Sequence, residues 1–423
     1  MLTRKTTLRV ILHAFTLLTG ALLVIPLTAL ANPGKVNQPA PTAPHEVSST
    51  ICGECHGEIF QEWSQSMHAN SSALKDPIHG AFYRKVIGDP TKEGVTKKEK
   101  YPVCLRCHAP NAAIQKKTKL DSKTAFNEGV NCIFCHTITE FKGTVKKNGK
   151  LRLGQAAYTN STTNLQAPSG KNYTTTPMPT EASQITAMTK PFHPFPMEGG
   201  NVAIQRTNAL CMGCHDQRKN FNGVPLCATG TEIADSKSAV TCQSCHMPMV
   251  NGHSSHSMMG GHSKDMLRKA VVMTLDVTQG KDNHLAKVSI TNQLPHKFPT
   301  GAPFRNVYIK LAAYDDKGNL LWQNYKTHPL KDDPKSVLVF ILGDGQGKPA
   351  MPPKAKEILS DSRIEPHGVK TVEYNIPVKD GVKLVRAELL YNLLLPKLVK
   401  NMEKVLTDDL KSAKPAAIAE KWM

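Results

Sequence analysis

Five segments of this 423-residue chain repeat one chemical pattern, Cys-x-x-Cys-His: Cys52–His56, Cys104–His108, Cys132–His136, Cys211–His215 and Cys242–His246. On one helical turn, residues i, i+3 and i+4 share a face. Two thiols so placed can form thioethers with the vinyl groups of one haem, and the adjoining imidazole then lies under the iron as its proximal ligand. Cys52, Cys55, Cys104, Cys107, Cys132, Cys135, Cys211, Cys214, Cys242 and Cys245 are spent this way, which leaves Cys227 alone of the eleven cysteines. C-x-x-C also opens zinc modules, but every copy here runs directly into a histidine. Disulfide pairing, the other use of cysteine in exported proteins, leaves those five histidines unexplained. The motifs therefore predict five covalently bound haems c, with His56, His108, His136, His215 and His246 as proximal ligands.

What fills the sixth position of each iron decides between an electron relay and a catalyst. Seventeen histidines, less the five proximal ones and His13 near the N-terminus, leave eleven. Neutral imidazole is the natural second ligand for an electron-transfer iron. His68 closes Trp63-Ser-Gln-Ser-Met-His68, and His193 lies in an apolar Pro-Phe-His-Pro-Phe run. His256 and His262 follow the last motif directly, and His296 occupies the rigid turn Leu294-Pro-His-Lys-Phe-Pro-Thr-Gly301. These five are the expected distal ligands, with His79 and His253 as substitutes. His45, His284, His328 and His367 read as linker, turn or strand-end residues. Met247 and Met249 read as haem packing, and Cys227 as a plain thiol.

Three of these stretches carry a resemblance. Cys52–His56 followed by Trp63-Ser-Gln-Ser-Met-His68, the run Gly129-Val130-Asn131-Cys132–His136, and Cys242–His246 leading into Met247-Pro248 with a Ser-His beyond resemble a family of periplasmic bis-histidine multihaem c-type cytochromes. That family includes the tetrahaem carrier that accepts electrons from hydroxylamine oxidoreductase. The resemblance covers most of 50–265 and implies haems stacked in offset and parallel pairs, with His68 ligating a haem other than its sequence neighbour. A fifth motif and the region that carries His296 depart from the small tetrahaem carriers; that region looks like a module appended in larger relatives.

The organisation follows from the motifs outward. Met1–Arg9 is basic, Val10–Leu30 apolar, and Ala29-Leu30-Ala31 gives a secretory cleavage pattern. Residues 1–31 are thus read as a signal peptide and the protein as periplasmic; left uncleaved, the run is long enough to anchor it in a membrane. Residues 32–48 read as a Pro/Ala linker. Residues 49–265 read as a haem-cored domain, mostly α and irregular with almost no sheet, with helical turns at 52–69, 75–87, 104–117 and 205–220. Motif starts lie 52, 28, 79 and 31 residues apart, which predicts close haem pairs at 104 with 132 and at 211 with 242. From 266 to 393, short β-branched runs at 270–277, 285–291, 306–314, 320–325, 337–342, 369–376 and 382–390 alternate with turn signals. They predict an antiparallel β-sandwich. Residues 394–423 read as a C-terminal helix, amphipathic over 394–412, and a tail.

Lys and Arg number 53 against 34 Asp and Glu, a formal +19. Haem propionates and the loss of Arg4, Lys5 and Arg9 with the leader reduce that figure. A haem protein outside the cytoplasm excludes nucleic acid as partner and leaves redox proteins or a membrane quinol-linked complex, drawn by charge. The leading expectation is a relay of single electrons through five haems. The competing one is an oxidoreductase acting on a small nitrogen or sulfur species at one open haem, although no C-x-x-C-K motif is present. A third use is assembly, with the β-domain as a docking or oligomerisation module.

Overall fold

The structure is a computed structural model that describes residues 43–172, 193, 195–200, 202–378 and 381–423. The signal-peptide expectation and most of the linker lie outside these residues. Pro41–Met423 forms one compact unit, so the haem-motif region and the β-region are fused rather than separated by a linker. Among the described residues no helix is long and apolar enough to cross a membrane.

The β-region follows from alternation. In Asn306–Tyr314 the side chains of Val307, Ile309, Leu311 and Ala313 are all fully buried, as period-2 patterning on a half-buried sheet requires. This strand is central to a six-stranded antiparallel sheet in the order Glu357–Asp361, Val337–Gly343, Asn306–Tyr314, Leu384–Asn392, Lys414–Trp422, with Leu320–Gln323 also paired to Asn306–Tyr314. A three-stranded antiparallel sheet orders Val369–Pro377, Asn283–Asn292 and Val271–Thr278. Both sheets feed one apolar cluster: Val288, Ile290 and Val372 from the smaller, Ile309, Leu311 and Leu389 from the larger. All seven expected runs carry strands. Two more are present. Glu357–Asp361 is a polar edge strand, and the expected C-terminal tail is the strand Lys414–Trp422, paired along Leu384–Asn392. The expected helix over 394–412 is two short helices, Pro396–Met402 and Asp408–Lys411, with Leu398, Met402 and Leu406 packed into the core.

The haem-motif region is built of short helices, among them Ser49–Gly53, Gly57–Ser64, Pro77–Val86, Leu105–His108, Pro110–Ile114, Cys132–His136, Val202–Gln205, Ala209–His215, Thr229–Asp235 and Cys242–His246. The expected helix over 104–117 breaks at Pro110, which has no N–H to continue one helix and starts the next with its fixed φ. Sheet is more plentiful than expected. Four two-stranded pairs occur, for example Ile138–Phe141 with Tyr158–Asn160. Residues 43–48, expected in a mobile linker, are instead tied down. His45 is buried, Lys123 pairs with Glu46, and Glu128 accepts the Ser49 N–H at 2.9 Å.

Pro77–Val86 joins the two regions. Asp76 caps it, accepting the Ile78 N–H at 2.8 Å. Ile78 and Phe82 pack into the β-core, Phe82 stacking on Phe304 at 5.6 Å, while Tyr83 enters a separate cluster with Leu105 and Phe126. His79 is therefore held between them.

Candidate haem sites

Each motif closes a helical turn. The His56 N–H donates to the Cys52 carbonyl at 2.9 Å and the His108 N–H to that of Cys104 at 3.0 Å. Asn131 Oδ1 accepts the Phe134 N–H at 3.1 Å, capping Cys132–His136, and Thr241 does the same for Ser244 at 3.3 Å. In Cys211–His215 the intervening Gly213 admits the Tyr158 ring, where a Cβ would collide with it, and its N–H donates to the Tyr158 hydroxyl at 2.9 Å.

The second histidines come from elsewhere in the chain. The His56 ring faces His193 with centroids 6.4 Å apart, His215 faces His68 at 6.1 Å, and His136 faces His256 at 6.5 Å. Two imidazole nitrogens about 2 Å from one metal, on opposite sides, set their ring centres roughly 6 Å apart. Against His108 lies His79, stacked at 3.8 Å and 6°, so these two rings must part to share an iron. His246 counts His296 among its electrostatic neighbours. His262, expected as a ligand, lies instead among Arg305, Lys414 and Asp409. His253 gives its Nε2 to Glu62 at 3.3 Å. His68, as the resemblance implied, faces the proximal histidine of a different motif from the one it follows.

That long-range contact explains why two distant stretches match together. Trp63 Nε1 donates to the Val130 carbonyl at 2.9 Å, and the Val130 N–H donates to the His68 carbonyl at 2.9 Å. Gly129 has φ +64°, and a side chain there would run into the His68 carbonyl. The segment Gly129–Asn131 thus fixes His68 and the start of Cys132–His136 at once.

Thiol neighbours show which attachment points adjoin. Cys52 lies beside Cys132, Cys107 beside Cys214, and Cys211 beside Cys242. The 211/242 pair agrees with the spacing. The motifs at 104 and 132 also have neighbours outside that expected pair, Cys107 beside Cys214 and Cys52 beside Cys132, because chain length bounds how far apart two motifs lie but not which way each helix faces.

The family described as Cytochrome c554 and c-prime matches residues 51–137, the stretch holding the first three motifs, His68 and His79. No curated protein matches the chain. A solved structure, a penta-heme cytochrome c552 from Thermochromatium tepidum, is 46% identical and superposes with a TM-score of 0.82, over 90% of this chain and 100% of that one. The chain belongs to the multihaem c-type cytochromes.

Haem c is accordingly the cofactor of this cytochrome, and its residues fit the group. In the imidazoles of His108, His193, His246, His256 and His296, Nδ1 lies 2.6–3.1 Å from a backbone carbonyl, those of Ser71, Phe195, Met259, Ser254 and Lys297 respectively. An Nδ1–H spent on a carbonyl fixes the tautomer and leaves Nε2 bare for a metal. His79 Nε2 is buried with no hydrogen-bond partner. Burial pushes His108, His136 and His215 down to about 4 and His68 to about 3, so all are neutral, the form that ligates iron.

Two carboxylates that sequence reasoning missed position histidines expected as distal ligands. Glu62 accepts the His256 backbone N–H at 2.8 Å as well as His253. Glu232, 7% exposed, accepts the Lys297 N–H at 3.2 Å, the Thr300 hydroxyl at 2.6 Å and Arg363 Nη1 at 3.0 Å, clamping the turn that holds His296. Neither had a local signal, since each acts across more than 60 residues.

The clamp carries a pH dependence. Burial alone would push the Asp361 carboxyl up, but its hydrogen bonds with Arg363 overcome this, and with Lys297 nearby they hold it below the usual carboxylate range. A depressed carboxylate stabilises the fold above its unfolded pKa of about 4, and the contribution is lost as pH falls through the folded value. The gap in urea midpoint between the holoprotein and Asp361→Asn should hold steady from neutral pH to about 5 and close below about 4. A gap independent of pH would refute the assignment.

Proposed function

We propose that this cytochrome binds five haems c, one at each motif, and that a second histidine closes every iron. The ligand pairs are His56 with His193, His108 with His79, His136 with His256, His215 with His68, and His246 with His296. The observation that carries the reading is the three opposed ring pairs at 6.1–6.5 Å, the separation expected of two imidazoles on one iron. The haems supply one-electron chemistry. The polypeptide holds the ligands neutral, fixes their tautomers and sets the attachment points side by side. The function is relay of single electrons between redox proteins or a membrane quinol-linked complex, in the periplasm, to which residues 1–31 direct the chain as a signal peptide. The two sheets sharing one cluster support the β-sandwich, whose place here is to deliver His296.

Mass spectrometry and ferric electron paramagnetic resonance of the mature protein test this together: five haem additions and only low-spin iron are expected. A stoichiometric high-spin iron would refute closure at every site. The second reading, an oxidoreductase for a small nitrogen or sulfur species, is favoured by one observation. Among the described residues, His246 is the proximal histidine whose ring has no aromatic partner. Turnover of such anions with a reduced viologen donor would establish it.

A further inference from the structure

Arg218 stands three residues beyond His215 on a short hairpin, Arg218–Lys219 paired with Pro225–Cys227. The hairpin is fastened to the β-region: Asn220 Nδ2 donates to the carbonyls of Pro352 and Ala355 at 2.8 and 2.7 Å. Val224 packs with Phe340, Leu342 and Ala355. Gln217 is held at φ +51°, a backbone state that an ordinary side chain avoids and keeps only where its surroundings impose it. Its amide donates to Thr231 at 2.8 Å. Arg218 is thus aimed by its neighbours.

It is aimed at two haem attachment points. Arg218 lines a cleft of about 20 Å³ with Val103, Cys107, Leu153, Gly213 and Cys214, so thiols of two motifs share that cleft with it. Its charge bears on His108 and His215, the proximal histidines of both motifs, and on His79. Among the described residues no carboxylate forms an ion pair with it. Asp216, the nearest acid in sequence, instead accepts the Thr231 N–H and hydroxyl, both at 2.8 Å. A guanidinium stays charged at every working pH, and a fixed cation in a partly buried setting favours the reduced, less positive iron.

We propose that Arg218 raises the reduction potentials of the two haems attached at Cys104–His108 and Cys211–His215 together. The proposal rests on haem occupancy of those motifs. Haem number is therefore counted first by mass spectrometry, and a missing haem refutes that occupancy separately. A spectroscopic redox titration of the holoprotein then compares wild type, Arg218→Gln, Arg218→Lys and Lys219→Gln. Lys219 is exposed on the same hairpin and controls for loss of one charge. In Arg218→Gln two steps should move to lower potential with all iron still low-spin. These should be the steps that His79→Ala and His68→Ala also perturb. Arg218→Lys should recover most of the shift, and Lys219→Gln should show none. Unmoved steps, an equal shift in Lys219→Gln, or the appearance of high-spin iron in Arg218→Gln would each overturn the assignment.

Discussion

Replacing His79 by alanine is expected to convert one iron equivalent of the ferric holoprotein from low to high spin, while His262→Ala leaves every iron low-spin. His79 is fixed from both sides. Asp76 and Pro77 start its helix, Ile78 and Phe82 hold that helix on the β-core, and Tyr83 holds it to the haem-side cluster. Its ring lies 3.8 Å from His108, the proximal histidine of the second motif. A buried, unpartnered Nε2 costs about 1–3 kcal/mol unless something binds it. A single hydrogen bond or one metal would satisfy that atom, and the group the second motif would bring beside it is a haem iron. His262 has no such setting: Arg305 and Lys414 are cations, and burial among them pushes it down to about 4. Electron paramagnetic resonance of the two variants decides. A low-spin His79→Ala, or a high-spin His262→Ala, would reverse the assignment.

These two histidines also show where the sequence stops informing. His262 closes a Ser/Gly/His run directly after the last motif, so proximity along the chain favours it. His79 stands in Asp-Pro-Ile-His-Gly, which reads as an ordinary helix start. What selects between them is the fold of Pro77–Val86 against two cores, and no local pattern encodes that. The motifs themselves were fully legible because thioether attachment needs fixed residues at fixed spacing. The strands with strict alternation were legible for the same kind of reason, a period imposed by the pleat. Glu357–Asp361 and Lys414–Trp422 were not. They lie at the two edges of their sheet, where one flank makes no ladder hydrogen bonds and polar residues are tolerated. Lys414 begins its strand fully buried, satisfied by Asp409 at 2.9 Å, a contact that composition cannot anticipate.

The largest loss of stability is expected from Glu232. Its carboxylate gathers a backbone N–H, a hydroxyl and a guanidinium, and Thr229 at the start of the same helix bonds the Thr300 hydroxyl at 2.9 Å. Arg363 is only 12% exposed in its side chain, so removing the carboxylate strands a buried cation that Asp361 alone must answer. Breaking one partner out of a buried ion pair costs about 3–5 kcal/mol. Because Asp361 remains, Glu232→Ala should sit near the lower end, about 3 kcal/mol by urea unfolding of the holoprotein. Glu232→Gln, which keeps one acceptor for Thr300 or Lys297, should lose about half of that. The consequence for the site is separable from the consequence for the fold. The freed turn carries His296, so Glu232→Ala should also bring high-spin iron at the last haem under conditions where the protein is still folded. His296→Ala should give the same spin change with a smaller loss of stability, since it removes a ligand without stranding a charge. If Glu232→Ala destabilises the protein yet leaves all iron low-spin, the carboxylate holds the two regions together without positioning the ligand. The β-region would then serve the last haem only as a wall.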